Sequence, residues 1–258
     1  MWFYVKKILI PYQVMDAAQV GRPRGLLSDL YPRWLGAREL LLRGRDPYSP
    51  EVTRDIQRGV YGRELDSLRA KDPRDEQAFA YPVYVAFLLA PTITVDFEVL
   101  RPIASALLVA FVCLTVLLWN FVLATKLSRT GLLIALLLTL GSFPVVQGIR
   151  LQQLTIVVAG LLAVSFWARQ SGRLLLSGVL MAIATIKPQI ALLPVLALIL
   201  WSLYDWKSRQ RWLWGFSEPW PPCWPPRSTC YRAGFRSFSA LCAITADIRE
   251  ASLCCRHF

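Results

Sequence analysis

The feature that most constrains this chain is an uncharged apolar run at residues 102–124, PIASALLVAFVCLTVLLWNFVLA. A helix rises about 1.5 Å per residue, so this run is long enough to cross the hydrocarbon core of a bilayer, which is about 30 Å thick. The whole chain is 55% hydrophobic, with a mean hydropathy of +0.42. The sequence therefore predicts an all-α membrane protein rather than a soluble domain.

Further apolar segments follow, and together they predict a polytopic transmembrane bundle over residues 79–216. The predicted membrane segments are 102–124, 131–149, 153–168, 174–187 and 189–204. The stretch 79–95 is different, because Pro82 and Pro91 bracket an apolar run that is short. Runs of that length are typical of interfacial or re-entrant segments, so we expect 79–95 to be a re-entrant segment or a short span.

The chain carries 29 Lys and Arg against 17 Asp and Glu, a formal net charge of +12. The cations form short clusters between apolar runs and no basic stripe interleaved with aromatics, so we expect no nucleic-acid partner. Clusters at 126–129, 169–173 and 207–211 alternate with sparsely charged loops that hold Arg150 and Lys187. The positive-inside rule puts the clusters in the cytoplasm and the two loops outside. If 79–95 does not cross the membrane, the N-terminal segment also lies outside.

The two ends of the chain differ from the bundle. Residues 1–78 predict an outer segment with amphipathic helices, one ending at Gly44 and the next beginning at Pro50 or Glu51. Residues 217–258 are dense in Pro, Trp, Cys and Arg, and we interpret them as a disordered tail translated out of frame. No cysteine pair has zinc-ligand spacing with a histidine, so we expect no metal site.

Two aspartates in the outer segment are candidates for chemistry. Asp29 stands just before a predicted helix, where a carboxylate ordinarily caps the first turn. The alternative is that Asp29 acts as a general base at the membrane surface. Asp46 precedes Pro47 and Tyr48, and this combination is a strong turn signal that favours a structural role.

Arg150, Gln153 and Lys187 are predicted to share the outer face with Asp29. Ordinary snorkelling explains a lone cation at a helix end. Lys187, however, is followed at once by Pro188, and a lysine at a helix break is well placed to hold a phosphate. A carboxylate with cations and amides beside a bilayer suits transfer from a phosphate-linked lipid carrier, in which the carboxylate deprotonates an acceptor hydroxyl. Because lysine and arginine can carry the positive charge, we expect no cofactor.

Several of these segments resemble glycosyltransferase family 87. SDLYPRWLGARELLLRGRDPYSPEV is similar to the family segment in which an aspartate precedes a glycine and a D-P-Y turn. FAYPVYVAFLLAPTITV is similar to its tyrosine-proline-rich segment, with Val83 where a second proline is common.

Two later segments extend the resemblance to roughly residues 20–216. RLQQLTIVVAGLLAVSFWA is similar to the family's G-Q-x-N region, where Gln152 replaces the glycine, Gln153 matches and Thr155 replaces the asparagine. LLSGVLMAIATIKPQIALLPVL resembles its glycine-then-Lys-Pro segment, with Gly178 and Lys187 at the matching positions. The order and spacing of the four segments together are more specific than any one of them.

The resemblance implies a GT-C type bundle and an inverting transferase that takes a hexose, typically mannose, from a polyprenyl-phosphate sugar. It carries the catalytic aspartate over to Asp29. We assign substrate-binding roles to Lys187, Arg150, Gln153, Tyr81 and Asp46. The expected partners are the polyprenyl-phosphate-linked donor, a lipid or glycan acceptor, and the plasma membrane, which the chain would cross several times.

Two further expectations concern completeness and the main alternative. Family members usually have a membrane helix before the aspartate loop and more helices at the end, so we expect an incomplete version of the enzyme. The alternative is a transporter or lipid-flipping subunit whose broken helix lines a substrate path. The chain has no internal repeat, and its polar groups cluster at one predicted boundary, which favours the enzyme.

Overall fold

The computed structural model describes residues 1–19, 28–66, 72 and 76–217, and every regular element in these ranges is helical. The predicted all-α class is thereby confirmed, while the predicted tail lies outside the described residues apart from Ser217. The first elements are α1 (Trp2–Tyr4), a π-helical turn (Val5–Leu9), α2 (Ile10–Gln19), α3 (Leu30–Arg43), α4 (Pro50–Tyr61), α5 (Val85–Leu89) and a 3₁₀ turn (Ala90–Thr92). The later elements are α6 (Phe97–Val122), α7 (Arg129–Gly141), α8 (Phe143–Arg150), α9 (Leu154–Gln170), α10 (Leu174–Ala184), α11 (Pro188–Tyr204) and α12 (Trp206–Ser217).

In the predicted outer segment, α3 packs on both α4 and α5. Helix α3 ends at Gly44, whose φ of 63° allows the left-handed turn that closes a helix. Helix α4 begins after Ser49, whose hydroxyl accepts a hydrogen bond from the Val52 N–H. Trp34 of α3 and Ile56 of α4 are buried in the same core as bundle residues. The start of α3, where Asp29 lies, is therefore held against the bundle.

A buried carboxylate fixes the connection between α3 and α4. Glu39 is 3% exposed and accepts hydrogen bonds from Arg43 and Arg45, at 2.8 and 2.9 Å. Arg45 also bonds to Asp55, and these hydrogen bonds to Asp55 and Glu39 raise the pKa of the Arg45 guanidinium. A buried charge needs such partners, so the network sets the position of the turn that follows at Asp46.

Among the described residues, α6 is the one helix that is long and apolar enough to cross a membrane by itself, with 26 residues. It begins at Phe97, earlier than the sequence predicts, because the helix continues through Pro102 in its second turn. Helices α9, α10 and α11 are apolar but shorter, so the predicted number of spans stays a prediction.

Residues 79–95 form only α5 and the 3₁₀ turn rather than a long helix. Phe79, Val85 and Leu89 are buried there, in the core that also holds Trp34 of α3. A five-residue helix rises about 7.5 Å, far less than the bilayer core, so this stretch contributes no helix of spanning length.

The helices differ in their bounds from two of the predicted membrane segments. The stretch 131–149 is not one helix, since α7 and α8 meet at Ser142 at an angle of 58°. Ser142 is extended, and Pro144 in the first turn of α8 has no N–H with which to continue α7. The segment 174–187 ends early, at Ala184, because the residue before a proline is disfavoured in the α conformation, and Lys187 accordingly adopts φ −117° and ψ 85° before Pro188.

The stretch that holds Lys207, Arg209 and Arg211 was predicted to be a loop, and it is instead the first part of α12. Trp212 and Gly215 are buried and pack against α10, and the Trp212 indole N–H donates to the Ser177 hydroxyl at 3.2 Å. The high density of charge hides this short apolar face in the sequence.

Helices α10 and α12 approach closely because two glycines meet. A Cβ added at Gly178 would lie 2.2 Å from the carbonyl oxygen of Trp212, and one added at Gly215 would lie 2.1 Å from that of Leu175. Both obstacles are backbone atoms, which cannot rotate away. Gly178 is therefore a packing residue between α10 and α12.

We expect Gly178→Ala to destabilise the protein by about 1–3 kcal/mol, the usual range for overpacking a tight interface. The measurement is the thermal unfolding midpoint of the purified protein in detergent. Gly141→Ala is the matched control, because a Cβ at Gly141 meets nothing within 4 Å. Equal midpoints for the two variants would show that α10 and α12 do not pack as described.

Candidate functional site

Tyr81 lies at the centre of the candidate site, in the bend before α5. The Tyr48 hydroxyl donates a hydrogen bond to the backbone carbonyl of Tyr81, and the Tyr48 ring packs edge-on against Phe79, with 5.3 Å between ring centroids. Burial and the nearby Asp46 carboxylate raise the pKa of Tyr48, so its hydroxyl stays protonated and able to donate. The turn after α3 thus holds Tyr81 in place.

Asp46 acts within that turn. Its carboxylate accepts a hydrogen bond from the Tyr48 N–H at 2.9 Å, and its carbonyl accepts one from the Ser49 N–H at 3.1 Å. This is the geometry of an aspartate-stabilised turn. The described contacts of Asp46 are those of the structural turn that the Asp-Pro-Tyr sequence indicates.

Two cations from distant parts of the chain meet at the Tyr81 ring. The guanidinium carbon of Arg33, on α3, is 4.5 Å from the ring centroid, and the Lys187 ammonium nitrogen is 5.8 Å from it. Both distances are within the range in which the negative face of an aromatic ring attracts a cation. Lys187 also donates to the Thr155 hydroxyl at 2.5 Å, on the first turn of α9. Residues from α3, α9 and the α10–α11 junction therefore converge here.

Asp29 stands directly before α3, but it does not cap that helix through its side chain. The capping interpretation is wrong, since the Ser28 hydroxyl instead accepts from the Leu30 N–H at 3.3 Å. The backbone of Asp29 is held on both sides. Its N–H donates to the Leu151 carbonyl at 2.7 Å, and its carbonyl accepts from the Arg33 guanidinium. The carboxylate is therefore carried on a fixed backbone without being used in capping.

A pair of hydroxyl groups lies two residues before Lys187 in the chain, at Thr185. The Tyr84 hydroxyl and the Thr185 hydroxyl are 3.0 Å apart, which joins the segment before α5 to the α10–α11 junction. Burial raises the pKa of Tyr84, an effect that the hydrogen bond to Thr185 partly offsets. Tyr84 is therefore neutral at physiological pH, and the positive charge near Tyr81 comes from Arg33 and Lys187.

Arg150 is the last residue of α8, and Gln153 lies in the turn between α8 and α9. Gln153 precedes the first residue of α9, and its N–H donates to the Gly148 carbonyl at 2.8 Å. Arg150 lines a groove of about 490 Å³ on the α6 side of this turn, together with Arg101 and Gln152. The contact between Asp29 and Leu151 joins this turn to the start of α3.

The structure thus connects most of the predicted site residues through short contacts. Asp29 contacts Arg33, which stacks on Tyr81, which in turn lies beside Lys187. Sequence reasoning missed Arg33, although its spacing of four residues from Asp29 at a helix start would have indicated it. Among the described residues, no group of three or more His, Cys, Asp and Glu is arranged to hold a metal ion.

Chemically, the arrangement offers two cations at an aromatic ring, one of which, Arg33, also donates to the backbone carbonyl of Asp29. An arginine and a lysine that converge on one place are well suited to bind a phosphate, since arginine contributes a planar pair of donors and lysine a compact charge. Asp29, whose backbone carbonyl Arg33 contacts, carries a carboxylate, a group that can accept a proton from a hydroxyl.

Comparison with protein families matches residues 79–215, just over half of the chain, to the model described as glycosyltransferase family 87. The matched range contains Tyr81, Arg150, Gln153 and Lys187, and it begins after Asp29 and Asp46. Neither the curated proteins nor the solved structures include a significant match to this chain.

Proposed function

The chain belongs to glycosyltransferase family 87, and from that premise we propose that it moves a hexose, mannose above all, from a polyprenyl-phosphate sugar to an acceptor hydroxyl. The family and the apolar helix α6 place this glycosyltransferase at a membrane. In the proposal that membrane is the plasma membrane, the bundle crosses it several times, and the reaction takes place at its outer face.

The observation that carries the proposal is the pair of cations at Tyr81. Arg33 and Lys187 are far apart in the sequence, yet both lie within about 6 Å of one ring centroid. Both positive charges lie beside the same ring, and an anion bound there is attracted by both. A lipid phosphate is an anion that a membrane transferase would place there.

In the proposed reaction, the oxygen of the acceptor hydroxyl attacks the anomeric carbon of the sugar, and Asp29 takes the proton of that hydroxyl. A new glycosidic C–O bond forms, and the bond between the anomeric carbon and the phosphate oxygen breaks with its electron pair leaving on the phosphate. Attack comes from the face opposite to the phosphate, so the anomeric configuration is inverted. Lys187 and Arg33 stabilise the charge that develops on the departing polyprenyl phosphate.

The other predicted site residues have supporting roles in this proposal. Tyr81 orients the two cations, and Asp46 accepts from the backbone N–H of Tyr48, whose hydroxyl in turn holds Tyr81. Gln153, at the start of α9, offers an amide to the sugar hydroxyls. Arg150 adds positive charge on the neighbouring turn, which favours the approach of an anionic donor.

A transport assay separates this proposal from the transporter alternative. Vesicles containing the purified full chain are given radiolabelled polyprenyl-phosphate mannose together with a membrane extract as the source of acceptors. We expect label to pass to a new product, and vesicles without protein give the background. Label that crosses the bilayer on an unchanged carrier, with no new product, would instead support a transporter or lipid-flipping subunit.

A further inference from the structure

The groove that Arg150 lines is separate from the contacts at Tyr81. It lies between the start of α6 and the α8–α9 turn, with Trp2 at one edge, and its volume is about 490 Å³. Two of its lining residues, Arg101 on α6 and Arg150 on α8, carry a permanent positive charge. Lys187 and Arg33 are not among the residues that line it. The chain therefore presents positive charge at two distinct places.

Gln152 gives the groove a hydrogen-bond acceptor in a fixed orientation. The residue is 3% exposed and its backbone is left-handed, with φ 49°. Its amide nitrogen donates to the Ser105 hydroxyl at 3.2 Å and to the Arg150 carbonyl at 3.1 Å. Its amide oxygen is buried with no hydrogen-bond partner. Buried polar atoms are nearly always paired, so this oxygen calls for a donor from a ligand, such as a hydroxyl group.

The wall of the groove continues onto an apolar surface. Pro102 and Val109 line the groove on α6, and Ile103 and Leu107 of the same helix are 49% and 56% exposed. Because α6 has the length and composition to cross a membrane, acyl chains are its natural surroundings. The exposed Trp2, whose indole N–H donates to the Leu140 carbonyl, is of the residue type enriched at membrane interfaces. A ligand that fits has a charged head and apolar chains.

We propose that this groove binds the headgroup of an anionic phospholipid that carries a hydroxyl group. The phosphodiester lies between the Arg101 and Arg150 guanidinium groups, which suit its oxygens as bidentate donors. A headgroup hydroxyl donates to the amide oxygen of Gln152, and the acyl chains lie along α6. In the orientation of the proposed function this lipid belongs to the outer leaflet. That assignment rests on the proposed function, whereas the binding site itself does not.

Native mass spectrometry of the purified full chain tests this with phosphatidylglycerol as the probe. We expect the double variant Arg101→Gln with Arg150→Gln to bind phosphatidylglycerol at least tenfold more weakly than the unaltered protein. The matched control, Lys126→Gln with Arg129→Gln, removes two exposed cations elsewhere. Its affinity for phosphatidylglycerol should stay within about twofold of that of the unaltered protein. Thermal midpoints establish that both variants are folded. Equal affinities for the two double variants would overturn the site.

Two further probes separate the sources of binding. Phosphatidylmethanol has the same phosphodiester charge without a headgroup hydroxyl, and we expect it to bind several-fold more weakly than phosphatidylglycerol. Equal binding of these two lipids would overturn the proposed hydrogen bond from the headgroup hydroxyl to Gln152. Glycerol 3-phosphate should compete poorly, and competition as strong as that of the lipid would mean a site for free phosphate esters instead.

The Lys187→Met variant tests whether the lipid-binding groove and the proposed donor site are separate sites. It should leave phosphatidylglycerol binding unchanged, because Lys187 lies outside the groove. A parallel loss of phosphatidylglycerol binding in Lys187→Met would mean that the two clusters form one site, contrary to the proposal.

Discussion

Asp29→Asn should lower the rate of sugar transfer by about 10²–10⁴-fold, the usual contribution of a positioned general base. The substitution keeps the size and shape of the side chain, but an amide cannot take a proton from the hydroxyl of the sugar acceptor. Since the carboxylate makes no capping hydrogen bond to α3, the loss should appear in kcat and leave the fold unchanged. The measurement is steady-state transfer from polyprenyl-phosphate mannose, with kcat and the donor KM determined separately.

Asp96→Asn is the matched control for that experiment. Asp96 also stands directly before a helix, α6, and it also makes no side-chain capping bond. We expect its variant to keep the wild-type kcat within about twofold. If Asp29→Asn turned over as fast as Asp96→Asn, another group would have to be the base.

Lys187→Met should raise the KM for the lipid-linked donor by about 10–100-fold. A hydrogen bond to a charged group contributes about 1.5–3 kcal/mol, and each 1.4 kcal/mol is tenfold in affinity. Methionine retains much of the length of lysine and removes the charge. Lys187→Arg should recover part of the affinity, because it restores the charge without the compact ammonium that bonds to Thr155.

The control for Lys187 is Lys207→Met, which removes an exposed lysine from α12. It should leave the donor KM unchanged, and thermal midpoints should show that both variants are folded. A donor KM that stays at the wild-type value in Lys187→Met would mean that Lys187 snorkels to the membrane surface and holds no phosphate.

The helical class of the chain was predictable because long apolar runs and proline breaks are local properties. The break before Pro188 followed from the missing N–H of proline and its effect on Lys187. The 58° bend at Ser142 and the helical state of residues 206–217 were not predicted. The helical state of 206–217 depends on packing, since α12 is stabilised by a glycine contact with Gly178 that has no local signature, whereas the bend follows from the extended Ser142 and from Pro144.

The candidate site was predictable in its members but not in its connections. Asp29, Tyr81 and Lys187 stood out by residue type and by resemblance, while their proximity depends on how α3 packs against the bundle. Arg33 was passed over because it looked like the polar face of an amphipathic helix, yet its guanidinium stacks on Tyr81. Asp29 was interpreted as a cap in one of two alternatives, and only the structure shows that its side chain makes no capping bond.

The most direct test of the central claim is a structure of the Asp29→Asn protein with intact polyprenyl-phosphate mannose bound, determined by electron cryo-microscopy. The quantity to measure is the position of the donor phosphate. We expect it within hydrogen-bonding distance of the Lys187 ammonium and the Arg33 guanidinium, with the anomeric carbon facing position 29. A phosphate held in the Arg101–Arg150 groove, or beside the cations of α12, would contradict the site proposed around Tyr81.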